Sequence, residues 1–397
     1  MRETDVAIVG GGLAGSTAAA MLGRSGIRAI LVDPHPVYPP DFRCEKLDGA
    51  QVRLLRKTGL AGPVLAAATP DEDLWIARCG LVERRYNDQY DLMYDTLVNT
   101  VRAAIPNGVE VICDKADEIS TSAERQSLVL SNGEKISARL VVLANGLNIS
   151  LRHSLGIARE IVSVCHSVSI GFDVKPVGRS SFDFRALTYY PERPTDRMAY
   201  LTFFPIGSTT RANFFVYRDM NDPWLRQMRQ SPVETMCALM PDLKKLAGDF
   251  EVTGFVKIRP VDLYVSAGYR QPGIVLVGDA FATSCPAAGT GANKVFTDVE
   301  RLCNVHVPNW LSTPGMGVEK IAAFYDDPVK QACDSQSTAK AYYLRSLSID
   351  GALPWRARRL GRFLARRGLN IVGRARGRLS TSMLDQRGVA AGKGAGA

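Results

Sequence analysis

The chain has 397 residues, 46% of them hydrophobic and 22% charged, enough for two domains or one large domain with an inserted lobe, and unlike a fibre or a disordered chain. Its net charge of +9 is matched by nine arginines between Gly351 and Leu384, where no lysine and no acid occurs. The remainder is therefore near neutral, which excludes a general polyanion-binding body and with it a nucleic-acid partner.

The chain opens on VAIVGGGLAGSTAAAMLG (6–23), which carries no charge. Three consecutive glycines after a four-residue apolar run read as a strand and a tight turn, not as a signal sequence or membrane span. Gly10, Gly12 and Gly15 then form G-x-G-x-x-G, followed by an alanine-rich helix and a second strand, AILVD. That is a βαβ unit. Gly10 makes the turn, Gly12 lets backbone approach a pyrophosphate, and Gly15 lets helix pack on strand. The helix start at Leu13 and Ala14 faces the phosphates. Asp33, eighteen positions after Gly15, can take a ribose hydroxyl. The motif supplies an adenosine-diphosphate grip and does not choose between NAD and FAD.

Three further stretches follow: FRCEKLDGAQVRLLRKTGL (42–60), QYDLMYDTLVNTV (89–101) and the strand-led ARLVVLANGLNISLRHSLGI (138–157). From about 163 the chain changes character. SVCHSVSIGFDV, RALTYYPE, MAYLTFFPIGS and TRANFFVYRD alternate aromatic and β-branched residues between turns, as an inserted antiparallel or mixed sheet does. One face of such a sheet could meet a substrate, with His166, Arg185, Tyr189, Tyr190, Phe203, Phe214 and Tyr217 as candidates; an aromatic on a strand is more often core, and a lone histidine more often structural.

GIVLVGDAFATSCPAAGTGANKVFTDVERLC (273–303) is a strand, a loop of small residues and an amphipathic helix. Its spacing, G-D-A and then Pro286, Gly289, Gly291, Asn293 and Asp298, resembles the second FAD fingerprint of the class A flavoprotein monooxygenases, of the para-hydroxybenzoate hydroxylase type. The resemblance covers about residues 4–302. It implies that Gly278 and Asp279 meet the ribityl and pyrophosphate part of FAD, and that Pro286, Gly289, Gly291, Ala292 and Asn293 bring backbone to the flavin ring, where amides at a helix start favour negative charge. It also implies that Arg43 reaches FAD, that Gln89 stands where the family commonly has arginine, and that Asn145 replaces an aspartate linked to FAD and NADPH handling.

The resemblance further implies a fold and a reaction. The fold is α/β: a Rossmann-like FAD-binding domain (1–70, 88–162 and 260–330), an inserted mixed or antiparallel sheet as substrate domain (71–87 and 163–259), and a C-terminal helical, Arg-rich segment (331–384) before a disordered tail (385–397). The reaction is hydroxylation or epoxidation of a lipophilic aromatic, polyketide-like or isoprenoid molecule. NADPH or NADH reduces the flavin as a transient partner, and oxygen adds to it as a hydroperoxide. A flavin halogenase would carry W-x-W-x-I-P, which is absent from the sequence. A double-bond reductase of the geranylgeranyl type and a non-catalytic redox sensor remain alternatives.

No Ser/His/Asp set and no metal-ligand cluster is visible, and the eight cysteines stand singly, as reduced thiols of a cytoplasmic protein do. Cys285 reads as a small apolar filler, with thiol participation as the sharper alternative. In LPWRARRLGRFLARRGLNIVGRARGR, Leu360, Leu364 and Ile371 fall at helical spacing with arginines on other faces. Such a segment suits an anionic membrane as a peripheral contact, an acidic carrier protein, or its own domain.

Overall fold

The computed structural model describes residues 1–369. Ile371, Gly373, Arg374, Arg376, Arg378 and the tail 385–397 lie outside the described residues.

The apolar runs AIV and AILV are buried along their length in Arg2–Val9 and Ala29–Val32, as strands covered on both faces must be. They pair in parallel with each other and with Glu110–Ile112 and Lys135–Leu143. Ile274–Leu276 joins the far end of Lys135–Leu143 in parallel, and Gln126–Leu130 and Ala116–Ser120 add an antiparallel edge. Against this seven-stranded sheet packs the helix Leu13–Arg24, whose residues Leu13 to Leu22 are all buried.

The second sheet has eight strands in the order Phe250–Ala267, Ala158–Pro176, Thr209–Val216, Met198–Ile206, Ala186–Tyr189, Thr69–Arg78, Leu81–Asp91 and Lys46–Leu47. All neighbours are antiparallel except Ala186–Tyr189 with Thr69–Arg78, so the sheet is mixed. Its strands run past the limits 71–87 and 163–259 and also recruit Lys46–Leu47. The stretch 89–101 opens as strand, with Gln89 paired to Asp71, and becomes helix at Tyr94.

The two faces of this sheet differ. Val168, Ile170, Phe172, Leu201, Phe203, Ala212, Phe214 and Val216 point to one side, where Leu225, Met228, Met236 and Leu239 of two short helices close a core. The other side, carrying Ser167, Ser169, Asn213, Phe215 and Tyr217, looks toward the first sheet. Helix Pro328–Ile349 spans the junction of the two sheets, and a final helix runs over 353–369. Among the described residues, no helix is long and apolar enough to cross a membrane.

Candidate functional site

Two helix starts and a sheet face enclose the site. At the first, Gly10 has φ +104°, and a Cβ there would lie 2.6 Å from the carbonyl oxygen of Ala144. A Cβ on Gly15 would come within 1.8 Å of the Gly10 carbonyl oxygen, so helix and strand touch at a distance only glycine permits. Gly12 has open space, its nearest would-be neighbour being Tyr38 at 3.9 Å. No side chain caps this helix, leaving the leading amides at Leu13, Ala14 and Gly15 available to an anion.

Asp33 closes the second strand. Its carboxylate accepts from the Gly11 amide at 2.6 Å and from Arg102 at 2.8 Å. Arg102, on the helix Tyr94–Ala103, also donates to the Gly11 and His35 carbonyls. Sequence reading missed this staple; its only local signal is a basic residue in a last helical turn.

At the second start, Gly278–Ala280 makes a tight turn after Ile274–Leu276. Asp279 accepts from Arg43 at 2.6 Å, and Arg43 also donates to Asp41, which Arg259 holds from the second sheet at 2.9 Å. Arg43 and Asp279, 236 positions apart, are thus brought together. Buried Arg152 donates to the Ala280 carbonyl at 2.8 Å.

Pro286–Ala288 and Gly289, the latter at φ +64°, lead into the helix Gly291–Arg301, again without a side-chain cap. A Cβ at Gly289 would meet nothing within 4 Å. The loop is held from behind. Gln51 donates to the Gly289 carbonyl and to Asn293, each at 2.9 Å, and Tyr200 donates to the Ala287 carbonyl at 2.8 Å.

Helix Pro328–Ile349 completes the clamp. Lys330 meets Asp298 at 2.7 Å with both side chains 1% exposed, and Asp298 in turn accepts from the Gly278 amide. Lys330 and Lys294 both reach Asp334, and Thr290 bonds Ser337. These partners lie beyond the stretch the sequence motif covers.

The matching family decides what the cradle is for. Residues 3–305 match the family described as FAD binding domain. The chain belongs to that family. FAD is its cofactor, and the residues fit it: two uncapped helix starts for the pyrophosphate and the ring, glycines where a Cβ would collide or where backbone stands open, and an acid at each end.

Among curated proteins, the chain is similar to 3-demethoxyubiquinol 3-hydroxylase of Escherichia coli, 26% identical over 77% of this chain and 80% of that one. It is also similar to aklavinone 12-hydroxylase DnrF of Streptomyces peucetius, 25% identical over 73% of this chain and 65% of that one. The p-nitrophenol 4-monooxygenase PnpA of Pseudomonas putida superposes with a TM-score of 0.68 over 91% of this chain and 94% of that one. At 16% identity it speaks for the fold alone.

The remaining expected residues divide. Gln89 spends its amide on Asp71 and Asp91. Asn145 sits against Gly10, its Oδ1 buried without a partner. Phe203 and Phe214 are core, packed on Phe250 and Trp224 on the sheet face opposite Phe215 and Tyr217. Tyr189 is buried in the same core and bonds Glu192. It lines, with Cys79, Asp242 and Arg367, a cavity of about 480 Å3 that includes none of the cradle residues.

Arg185 is half exposed and donates to the Pro70 carbonyl. His166 is a satisfied structural histidine, placed between Ser163 and the Ala341 carbonyl, and burial lowers its pKa. Tyr190 stacks toward Tyr200 at 5.9 Å. Among the described residues, Tyr217 is the substrate candidate that packs with the loop 285–288, in a cluster with Phe215, Leu263, Cys285, Ala287 and Ala288. Cys285 is fully buried, 3.5 Å from the Ser167 hydroxyl, and burial raises its pKa, which keeps it a thiol.

Strand register reveals residues the sequence reading passed over. Ser169 stands opposite Phe215 and Gly171 opposite Asn213; across the next pair, Tyr200 faces Phe215 and Thr202 faces Asn213. Glu45 and Arg211 close the patch at 3.0 Å. Among the described residues, Ser169 Oγ, Asn213 Oδ1, Tyr217 Oη and Arg211 Nη2 are buried with no hydrogen-bond partner. Unpaired groups of this kind are costly unless a ligand or water completes them.

Proposed function

We propose that this protein is an FAD-dependent monooxygenase that hydroxylates a lipophilic ring carrying at least one hydroxyl or carbonyl oxygen, with NADPH or NADH as the transient reductant. The observation that carries the substrate reading is the row of unpartnered buried polar atoms on the sheet face, beside apolar Phe215 and Leu263 and across from the flavin loop. A purely apolar substrate would leave those groups unpaired; a phenol, quinol or hydroxylated polyketide completes them.

FAD, when bound, supplies the redox and oxygen chemistry. The chain supplies placement. Leu13–Gly15 and Asp33 would hold the adenosine-diphosphate end, Arg43 and Asp279 the middle, and Gly289–Asn293 the ring. Ser169, Asn213 and Tyr217 orient the substrate oxygen. Glu45 is the carboxylate of this patch; burial raises its pKa against the opposing pull of Arg211 and Asn213, suiting it to take the proton of a substrate hydroxyl. A lipophilic substrate partitions into bilayers, so a peripheral lipid contact belongs to the same reading.

The experiment is oxygen uptake and nicotinamide oxidation by the FAD-loaded protein with a panel of phenols, quinols and anthraquinones. Stoichiometric oxygen consumption with a hydroxylated product is expected. Substrate reduction without oxygen uptake, or flavin reduction with no turnover of any compound, would replace this reading with a reductase or a sensor.

A further inference from the structure

The helix 353–369 has one face that the other described residues cover and one that they do not. On the covered side, Trp355 packs edge-on against Tyr343 at 5.8 Å. Arg359 donates to the carbonyls of Leu347 and Asp350, and Arg362 donates to the Tyr343 hydroxyl. At 3.6 residues per turn, Leu353, Ala357, Leu360 and Leu364 fall together on the opposite side. The three leucines there are 77%, 51% and 58% exposed. A single exposed leucine needs no explanation, but three in register on one helix do.

The same helix carries Arg356, Arg358, Arg359, Arg362, Arg366 and Arg367 and no acid. Arg356 falls along one margin of the leucine stripe, while Arg367 turns toward the cavity beside Cys79 and lies over the Phe363 ring. We propose that this helix seats the protein on an anionic bilayer, with the leucines at the boundary of headgroups and acyl chains and the flanking guanidinium groups on lipid phosphates. The arginines supply attraction to lipid phosphates and the leucines an apolar contact, and an anionic lipid surface takes both at once.

The test is co-sedimentation of the full-length, FAD-loaded protein with phosphatidylcholine vesicles, with and without phosphatidylserine, beside the variant Leu353→Ser/Leu360→Ser/Leu364→Ser. The wild type is expected to pellet with phosphatidylserine vesicles and to be released by salt. The triple variant should partition at least about ten-fold more weakly while keeping its flavin absorbance and melting temperature. Arg356→Gln alone should weaken partitioning roughly five-fold.

Three results would overturn the seat: no vesicle binding, equal binding by wild type and triple variant, or retention on immobilised polyglutamate that vesicles do not compete away. Vesicle binding without oxygen uptake would remove the catalytic reading and leave the seat. Oxygen uptake without vesicle binding would do the reverse.

Discussion

Replacing Lys330 by methionine removes one charge from beneath the flavin loop and leaves the volume of its stem filled. Lys330 and Asp298 are each 1% exposed and 2.7 Å apart, so neither shares its charge with water. Burial already pushes the Asp298 carboxyl above the usual carboxylate range, and Lys330 is the strongest influence holding it down. Without Lys330, Asp298 keeps the Gly278 amide and faces the charge of Asp334 with only Lys294 to offset it. Breaking a buried pair from one side costs about 3–5 kcal/mol.

The raised pKa of Asp298 in the variant fixes the sign of the pH dependence. A carboxyl that stays protonated longer in the folded state stabilises at low pH, and that contribution is lost as pH rises. The deficit should therefore shrink on acidification. Lys330→Met/Asp298→Asn keeps an acceptor for Gly278 without the stranded charge and should recover more than half of the loss. Urea unfolding of the FAD-loaded protein measures the stability, and FAD retained after gel filtration reports the loop. A single variant within about 1 kcal/mol of wild type with full FAD retention, or a double variant no better than the single, would refute the clamp.

Glycine substitutions separate cradle from scaffold. Gly12→Ala meets only Tyr38, at 3.9 Å, so the apoprotein should melt within a few degrees of wild type while FAD binds at least about ten-fold more weakly. Gly15→Ala, at 1.8 Å from a backbone oxygen, should lower apoprotein stability by about 3 kcal/mol or more. Equal FAD affinity in Gly12→Ala would remove the backbone-approach argument. If Glu45 accepts a substrate proton, Glu45→Gln should lower kcat by roughly 10²–10⁴ and abolish the acidic limb of the pH–rate profile, with little change in KM; an unaltered profile rejects that role. Burial, with Asp71 adding to it and Lys46 opposing, raises the Asp91 carboxyl to about 8. This costs the wild type stability as pH climbs from about 4 toward 8, so Asp91→Asn should gain on wild type by on the order of 5 kcal/mol across that range. Parallel pH–stability curves would contradict it.

The geometry of the first half of the cradle was legible because its causes are local. Gly10, Gly12, Gly15 and Asp33 lie within one βαβ unit, and each answers a steric or hydrogen-bonding demand set a few residues away. The second half needed a resemblance. Nothing near Asp279 says that Arg43 will meet it, since that contact depends on how the second sheet docks. Gln51 shows the intermediate case: D-x-x-Q at Asp48 and Gln51 is a readable capping box, which the structure confirms. The reach of the same amide to Gly289 and Asn293 is tertiary and has no local sign.

The sheet face was hidden for a different reason. Alternation along NFFVY separates Phe214 from Phe215, yet both rows are aromatic, so the pattern says that two faces differ without saying which is core. The deciding fact is that Leu225, Met228 and Met236 cover the Phe214 row, leaving Phe215 and Tyr217 for the flavin loop. The last helix repeats this ambiguity. Spacing alone set Leu360 and Leu364 apart from the arginines, and an apolar stripe on an amphipathic helix is ordinarily the docked one. Here Trp355 and Arg359 dock and the leucines face out. A helix that spends its aromatic and guanidinium contacts on its own protein and keeps its leucines exposed has an apolar surface left to bury, and its surplus positive charge selects where.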